Sequence, residues 1–128
     1  MKLLLDTCTF LWIVTGDASL SAPARKLFSD PGNEVFLSSV SAWEIAVKHS
    51  LGKLPLPRPP SVLVPEERQR HQIEPLALDE AAALFSAKLP ELHKDPFDRM
   101  LVCQAMVGGL TLLTPDSLIT QYPVATIW

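Results

Sequence analysis

Cysteine is scarce, with only Cys8 and Cys103 in 128 residues. Both sit in apolar stretches and read as reduced core thiols. That excludes a disulfide-stapled secreted scaffold and points to a cytoplasmic protein. Long hydrophobic runs are missing: none approaches the ~20 residues that a transmembrane helix needs. The start, Met1 to Asp6, is a short apolar run that ends in an acid, without the length or small-residue cleavage site of a signal peptide. A basic bulk is absent too. The formal net charge is -3, so overall charge announces no nucleic-acid partner. His49, His71 and His93 stand in no zinc-ligand spacing with the cysteines. No glycine loop is built to cradle phosphate, and Ser38, Ser39 and Ser41 lack the glycines of a nucleophile elbow.

What the chain does have is apolar material and proline. At 48% hydrophobic and 20% charged it has enough for a real core, and its length fits a single domain over residues 1–128. The 12 prolines cluster at Pro55-Leu56-Pro57-Arg58-Pro59-Pro60, a rigid extended connector within the domain.

Apolar runs and breakers set the elements. Lys2 to Leu5 reads as a strand, followed by a helix over Phe10 to Val14 that Thr7 or Asp6 caps and Gly16 ends. Ser21 caps a second helix, and Glu34 to Ser38 is a second strand. Ser41-Ala42-Trp43-Glu44 opens the next helix in a capping-box pattern, and Gly52 stops it. Beyond the connector come a helix over Ser61 to Arg70, a short strand over Ile73 to Leu76 and an alanine-rich helix from Glu80 to Leu89. Asp95 caps a helix over Pro96 to Val107, with Pro96 at its first position. The chain closes with a strand over Leu110 to Thr114, a short helix over Ser117 to Gln121 and a strand over Val124 to Ile127. Alternating strands and helices predict an α/β fold, a three-layer α/β/α sandwich around a mainly parallel sheet.

In parallel sheets, sites lie beyond the C-terminal ends of the strands. Asp6 and Asp116 stand at two such ends, and Glu44 falls in the helix after the second strand. Asp98 lies in the first turn of the helix before the Leu110 strand, which is expected to begin at the opposite edge. It joins the other acids only if that helix starts at the C-terminal edge or crosses obliquely. Each acid has a local role available: Asp6, Asp95 and Asp116 as caps, Glu44 as a partner of Ser41 or Lys48, and Asp98 as a complement to the helix dipole. Capping explains each singly, not their gathering near one edge. Gathered carboxylates need a cation between them. Oxygen donors with few nitrogen or sulfur ligands suit Mg2+ or Mn2+. Without Asp6, Glu44, Asp98 and Asp116, 10 acids face 11 Lys and Arg, a net of +1. Substrate attraction then rests on metal and on Lys48, Lys94, Arg99, Arg68 and Arg70.

Four segments carry a family resemblance. Leu4-Leu5-Asp6-Thr7, Ser38 to Ile45, Asp95-Pro96-Phe97-Asp98-Arg99-Met100-Leu101 with Gln104-Ala105, and Leu112-Leu113-Thr114-Pro115-Asp116 resemble, in order, the four motifs of PIN-domain nucleases. The likeness spans essentially the whole chain and is greatest to the VapC-type toxins of bacterial toxin–antitoxin pairs. It implies a PIN-like fold and Mg2+- or Mn2+-dependent cleavage of RNA, with Asp6, Glu44, Asp98 and Asp116 as catalytic and metal-binding residues. It also implies a homodimer and a cognate antitoxin whose C-terminal segment occupies the active-site groove; operator DNA would be reached only through the antitoxin. Cys8 stands where many relatives have Asn, and Pro115 where many carry a basic residue. Neither change removes a carboxylate, and both bear on substrate preference.

Two other functions compete. A catalytically silent PIN-like module would act through partner or DNA association and keep full binding with all four acids neutralised. A phosphoacceptor regulator needs paired acids after the first strand and a lysine after a late one, but Asp6 stands alone and Leu110 to Asp116 holds no lysine. His93, beside the acids, either contacts substrate or is simply exposed. Trp12 and Trp43, at helical positions among apolar neighbours, read as core or interface.

Overall fold

The computed structural model describes all residues, 1–128. The elements run β1 (Lys2–Leu5), α1 (Thr7–Thr15), α2 (Ala22–Ser29), β2 (Glu34–Ser38), α3 (Ser39–Ser50), α4 (Pro60–Arg70), β3 (Glu74–Leu76), α5 (Glu80–Phe85), α6 (Pro96–Gly108), β4 (Thr111–Leu113), α7 (Ser117–Thr120) and β5 (Thr126–Ile127). The five strands form one sheet in the order β3-β2-β1-β4-β5, and every pair is parallel. Register is tight at the centre, where Leu3, Leu4 and Leu5 face Thr111, Leu112 and Leu113 across the β1–β4 ladder.

The leucine run of β1 lacks polar alternation because both faces of the sheet are covered. Leu3 and Leu5 point to one side, into a core with Phe10 and Ile13 of α1, Ile45 of α3 and Leu63 and Val64 of α4. Leu4 points to the other, with Leu112, Leu101, Val102 and Cys103 of α6, and Ile119 of α7. All three leucines are fully buried. Burying one such side chain contributes roughly 1.5–3 kcal/mol, so the five leucines of the β1–β4 ladder, Leu3, Leu4, Leu5, Leu112 and Leu113, anchor the strand ends from which the acids project.

Chain connectivity makes β1 and β4 special. From β1 the chain moves outward through β2 to β3, then returns to lay β4 on the other side of β1. That reversal is a topological switch point, where a crevice opens outside the strands' C-terminal ends.

Local chemistry sets the helix boundaries, and two expectations fail there. Ser38, not Ser41, caps α3: its hydroxyl accepts the Val40 N–H at 3.0 Å. The chain turns into the helix as β2 ends, so Ser41 lies inside the first turn and no capping box with Glu44 forms. The Glu80 helix stops at Phe85 and tightens into a 3-10 turn over Ser86–Lys88, because Pro90 pushes Leu89 into extended backbone (ψ 133). Helix α4 begins with Pro60 at its first position and has no side-chain cap. Cys103 is buried as expected, whereas Cys8 is exposed on α1. No helix is long and apolar enough to cross a membrane.

A buried polar tether ties the two helices that carry Glu44 and Asp98. The Ser38 hydroxyl donates to Gln104 Oε1 at 2.5 Å, and Gln104 Nε2 donates to the Ala77 carbonyl at 3.3 Å. Gln104 therefore fixes α6 against the β2–α3 junction and the strand end beyond β3.

Candidate active site

Asp6 leaves β1 and caps α1. Its Oδ1 accepts the Thr9 N–H at 2.7 Å, and its Oδ2 accepts the Thr114 hydroxyl at 2.5 Å. Thr114 closes β4, and its oxygen also accepts the Asp116 N–H at 3.1 Å. One threonine at the switch point thus sets the spacing between two acids that are distant in sequence. Asp116 in turn caps α7, accepting the Leu118 N–H at 2.9 Å. Asp6 is only 4% exposed. Burial raises its pKa against the pull of the Thr114 and Thr9 hydrogen bonds, and the charge of Asp116 adds to the rise.

Glu44 reaches the same edge from α3 and is also buried. Its Oε1 accepts the Thr7 hydroxyl at 2.6 Å, and Thr7 Oγ1 lies 3.0 Å from Ser41 Oγ. Its Oε2 pairs with Lys48 one turn on. A site of gathered acids therefore contains one cation of its own. The hydrogen bond and charge of Glu44 raise the Lys48 pKa, with Asp95 contributing.

Asp98 joins from α6. Asp95 caps that helix, its Oδ1 accepting the N–H groups of Phe97 at 2.9 Å and Asp98 at 3.1 Å. Asp98 is free to point elsewhere, and its Oδ2 lies 3.3 Å from His93 Nε2. Burial pushes its carboxyl up to about 6, with the charges of Asp95, Glu44 and Asp116 adding and the His93 hydrogen bond opposing. All four acids thus share one electrostatic neighbourhood.

The expectation that this helix begins at the opposite edge is wrong. All strands are parallel, and α6 runs against them, delivering its C-terminus to the start of β4. Its 13 residues span ~20 Å at 1.5 Å per residue, enough to carry its first turn back to the C-terminal edge. By the same rule α4 ends where β3 begins, away from the acids. Arg68 and Arg70 are thereby removed from the site: Arg70 lies 3.7 Å from Glu67 and Arg68 donates to the Ile73 carbonyl. Arg99 is engaged with the carbonyls of Pro90 and Leu89 and with Tyr122. Lys48 is the cation set among the acids.

The PIN domain family model matches residues 3–124. This chain belongs to the PIN domain family. Ribonuclease VapC16 of Mycobacterium tuberculosis (strain ATCC 25618 / H37Rv) is 44% identical over 57 residues, a match covering 44% of this chain and 40% of that protein. The matched stretch is thus less than half the length of that relative. Among solved structures, VapBC2 from Rickettsia felis, bound to a DNA fragment from its promoter, aligns with a TM-score of 0.75 at 15% identity, covering 100% of this chain and 99% of that chain. DNA-bound VapBC from Salmonella typhimurium aligns with a TM-score of 0.69 at 18% identity, covering 99% and 97%. These likenesses show the fold, the expected α/β/α sandwich with a parallel sheet.

Several residues around the acids of this PIN domain escape a reading of the sequence. Thr7 and Thr114 each follow or precede an acid closely, but nothing in their spacing tells that their hydroxyls hold carboxylates. Tyr122 is the single tyrosine and gives no signal before folding brings it to His93. His93 is not simply exposed, since its side chain is only 9% accessible. Trp43 is 60% exposed and sets its ring edge-on to Phe97, centroids 5.0 Å apart. Trp12 packs half-buried against the core and Trp128.

The donor chemistry of these side chains fits a hard divalent cation. It is carboxylate oxygen throughout, and burial, with the charges of neighbouring acids adding to it, holds the carboxyls of Asp6 and Asp98 above their usual range. As they stand, no three His, Cys, Asp or Glu side chains are already arranged as ligands.

Proposed function

We propose that this PIN domain is a Mg2+- or Mn2+-dependent endoribonuclease that acts as the toxin of a toxin–antitoxin pair. The observation that carries the reading is the gathering of Asp6, Glu44, Asp98 and Asp116 at the switch point of the sheet, with Asp6 and Asp116 joined through Thr114 and the charges of Glu44 and Asp116 felt at Asp98. Membership of the PIN family and the likeness to a relative named as a ribonuclease support it.

Asp6, Asp98 and Asp116 would hold the ion, with Glu44 as a further ligand or as the group that positions water. A bound divalent ion at such a site supplies an activated water and offsets charge developing on a phosphodiester. The protein's own contribution is orientation. Thr9 and Thr114 fix both oxygens of Asp6, Thr7 fixes one oxygen of Glu44, and the Asp95 cap fixes the turn from which Asp98 projects. Lys48, with its side chain 45% exposed, offers a positive charge to a phosphate that the acids alone would repel.

The same reading carries a homodimer, a cognate antitoxin that blocks the site, and operator DNA reached through that antitoxin. The complexes of the Rickettsia and Salmonella relatives support the antitoxin. A second reading, a silent PIN module acting by association alone, draws on one observation: Lys48 already neutralises Glu44. The purified protein incubated with RNA and Mn2+ decides between them. Cleavage that is lost in Asp6→Asn and Asp98→Asn supports the nuclease. An inert wild type, or variants that cut as well as it does, supports the module.

A further inference from the structure

His93 and Tyr122 form a connected pair behind Asp98. Tyr122 is 3% exposed, so its hydroxyl must find partners within the protein. Three polar groups surround it. The His93 backbone N–H lies 3.2 Å away and Arg99 Nη1 lies 3.1 Å away, and both can only donate. Arg99 Nη1 is held in place by a second bond, to the Pro90 carbonyl at 2.8 Å. These two donors use the two lone pairs of the phenol oxygen. The third neighbour, His93 Nδ1 at 2.7 Å, must then accept the phenol proton.

This count fixes the imidazole. Nδ1 carries no hydrogen, so the ring hydrogen sits on Nε2. A hydrogen on both ring nitrogens would present three donors to an oxygen with two lone pairs. Nε2 faces Asp98 Oδ2 at 3.3 Å, and a carboxylate oxygen accepts what Nε2–H donates.

We propose that His93 and Tyr122 are positioning residues for the metal site: Tyr122 selects the Nε2–H tautomer of His93, and His93 holds one oxygen of Asp98 so that the other faces the ion. The proposal rests on the reading of Asp98 as a metal ligand. It follows the general pattern in which ligating carboxylates are oriented by hydrogen bonds from residues that do not touch the metal. It also gives a reason for the position of Arg99, whose bond to the phenol fills the lone pair that would otherwise accept from Nδ1–H. The pair links the chain after α7 to the first turn of α6, so the terminal segment contributes to a site built from motifs that end at Asp116.

The test uses Mn2+ alone, with binding to the full chain followed by proton relaxation enhancement at one fixed pH. Asp98→Asn is expected to weaken Mn2+ binding, which establishes the ligand reading. His93→Asn keeps a polar group at the Nδ1 position and loses the donor to Asp98; it is expected to weaken binding about tenfold or more. His93→Gln places an amide N–H near the Nε2 position and is expected to bind within a few-fold of wild type. Tyr122→Phe is expected to weaken binding and to mix the tautomers. Nitrogen-15 NMR of the wild-type ring, which needs no variant to fold, is expected to show a protonated Nε2 and a bare Nδ1.

If Asp98→Asn binds Mn2+ like wild type, the ligand reading fails and the proposal fails with it. If Asp98→Asn is weak but His93→Asn and His93→Gln match each other, at any affinity, the ligand reading stands and the positioning role is overturned. A hydrogen on Nδ1 in the wild type overturns the tautomer assignment, and the proposal with it.

Discussion

Thr114 donates its hydroxyl proton to Asp6 across 108 positions of sequence, and the same oxygen receives the backbone N–H of Asp116. The site is therefore locked at the seam between β1 and β4, the one ladder that joins the two halves of the sheet. Thr114→Val keeps the shape and removes both bonds. It leaves a buried carboxylate oxygen of Asp6 without its donor, which costs about 1–3 kcal/mol. The expected result in urea unfolding is a lower midpoint with an unchanged m-value, together with reduced cleavage of RNA.

Asp98 gives a prediction with a definite pH window. Its carboxyl rises from 3.8 to about 6 in the fold. Between those values the folded state holds a proton that the unfolded chain has released, so stability from this group falls as pH rises. Below about pH 4 the acid is neutral in both states and contributes nothing. Asp98→Asn in EDTA is therefore expected to match wild type near pH 4 and to become the more stable protein by pH 7. Melting curves across this range check it. A variant less stable than wild type at pH 7 would mean that local hydrogen bonding outweighs the repulsion. Added Mn2+ is expected to raise the wild-type midpoint by mass action and to leave the variant nearly unmoved.

Cys8 reports on the same field. Partial burial and the charges of Asp6, Glu44 and Asp98 push its thiol up to about 11. Thiolate is the reactive form. Alkylation by iodoacetamide at pH 8 is expected to run roughly 100-fold slower than for a free exposed thiol. Labelling at the ordinary rate would show that the thiol is neither shielded by burial nor set in the field of the acids.

Gln72 tests the backbone away from the site. It follows the last turn of α4 with φ 56, the one non-glycine residue with positive φ, and the next N–H, of Ile73, closes the helix end onto the Arg68 carbonyl at 2.8 Å. Glycine adopts this left-handed conformation without the Cβ penalty. Gln72→Gly is expected to stabilise the domain by about 0.5–1 kcal/mol, read by thermal melts, with no change in RNA cleavage.

The fold and the acids were legible in the sequence for identifiable reasons. The leucines of β1 and β4 are apolar without interruption because both faces are covered; the β1 run stops at Asp6 and the β4 run stops two residues short of Asp116. Gly16 and Gly109 end α1 and α6 in left-handed backbone, and Pro96 and Asp95 start α6. What stayed hidden depends on contacts between distant segments. Ser41 reads as the cap from its spacing to Glu44, but β2 ends directly at the helix and puts Ser38 in that place. Arg68 and Arg70 look available to substrate until the direction of α4 places them at the other edge. Tyr122 carries no periodicity or motif, and its partners are separated from it by 29 and 23 positions. The side of the sheet from which Asp98 enters follows from the antiparallel run of helix against strand, a rule of topology rather than of residue type.

On the proposed function, Asp6, Asp98 and Asp116 together hold a divalent ion at the seam of β1 and β4. Anomalous diffraction at the manganese edge from a crystal soaked in Mn2+ tests it most directly. The expected result is a peak within bonding distance of carboxylate oxygens from all three residues, with Glu44 in direct or water-mediated contact. A peak elsewhere on the protein, or a soaked crystal with no peak among these acids, would contradict it.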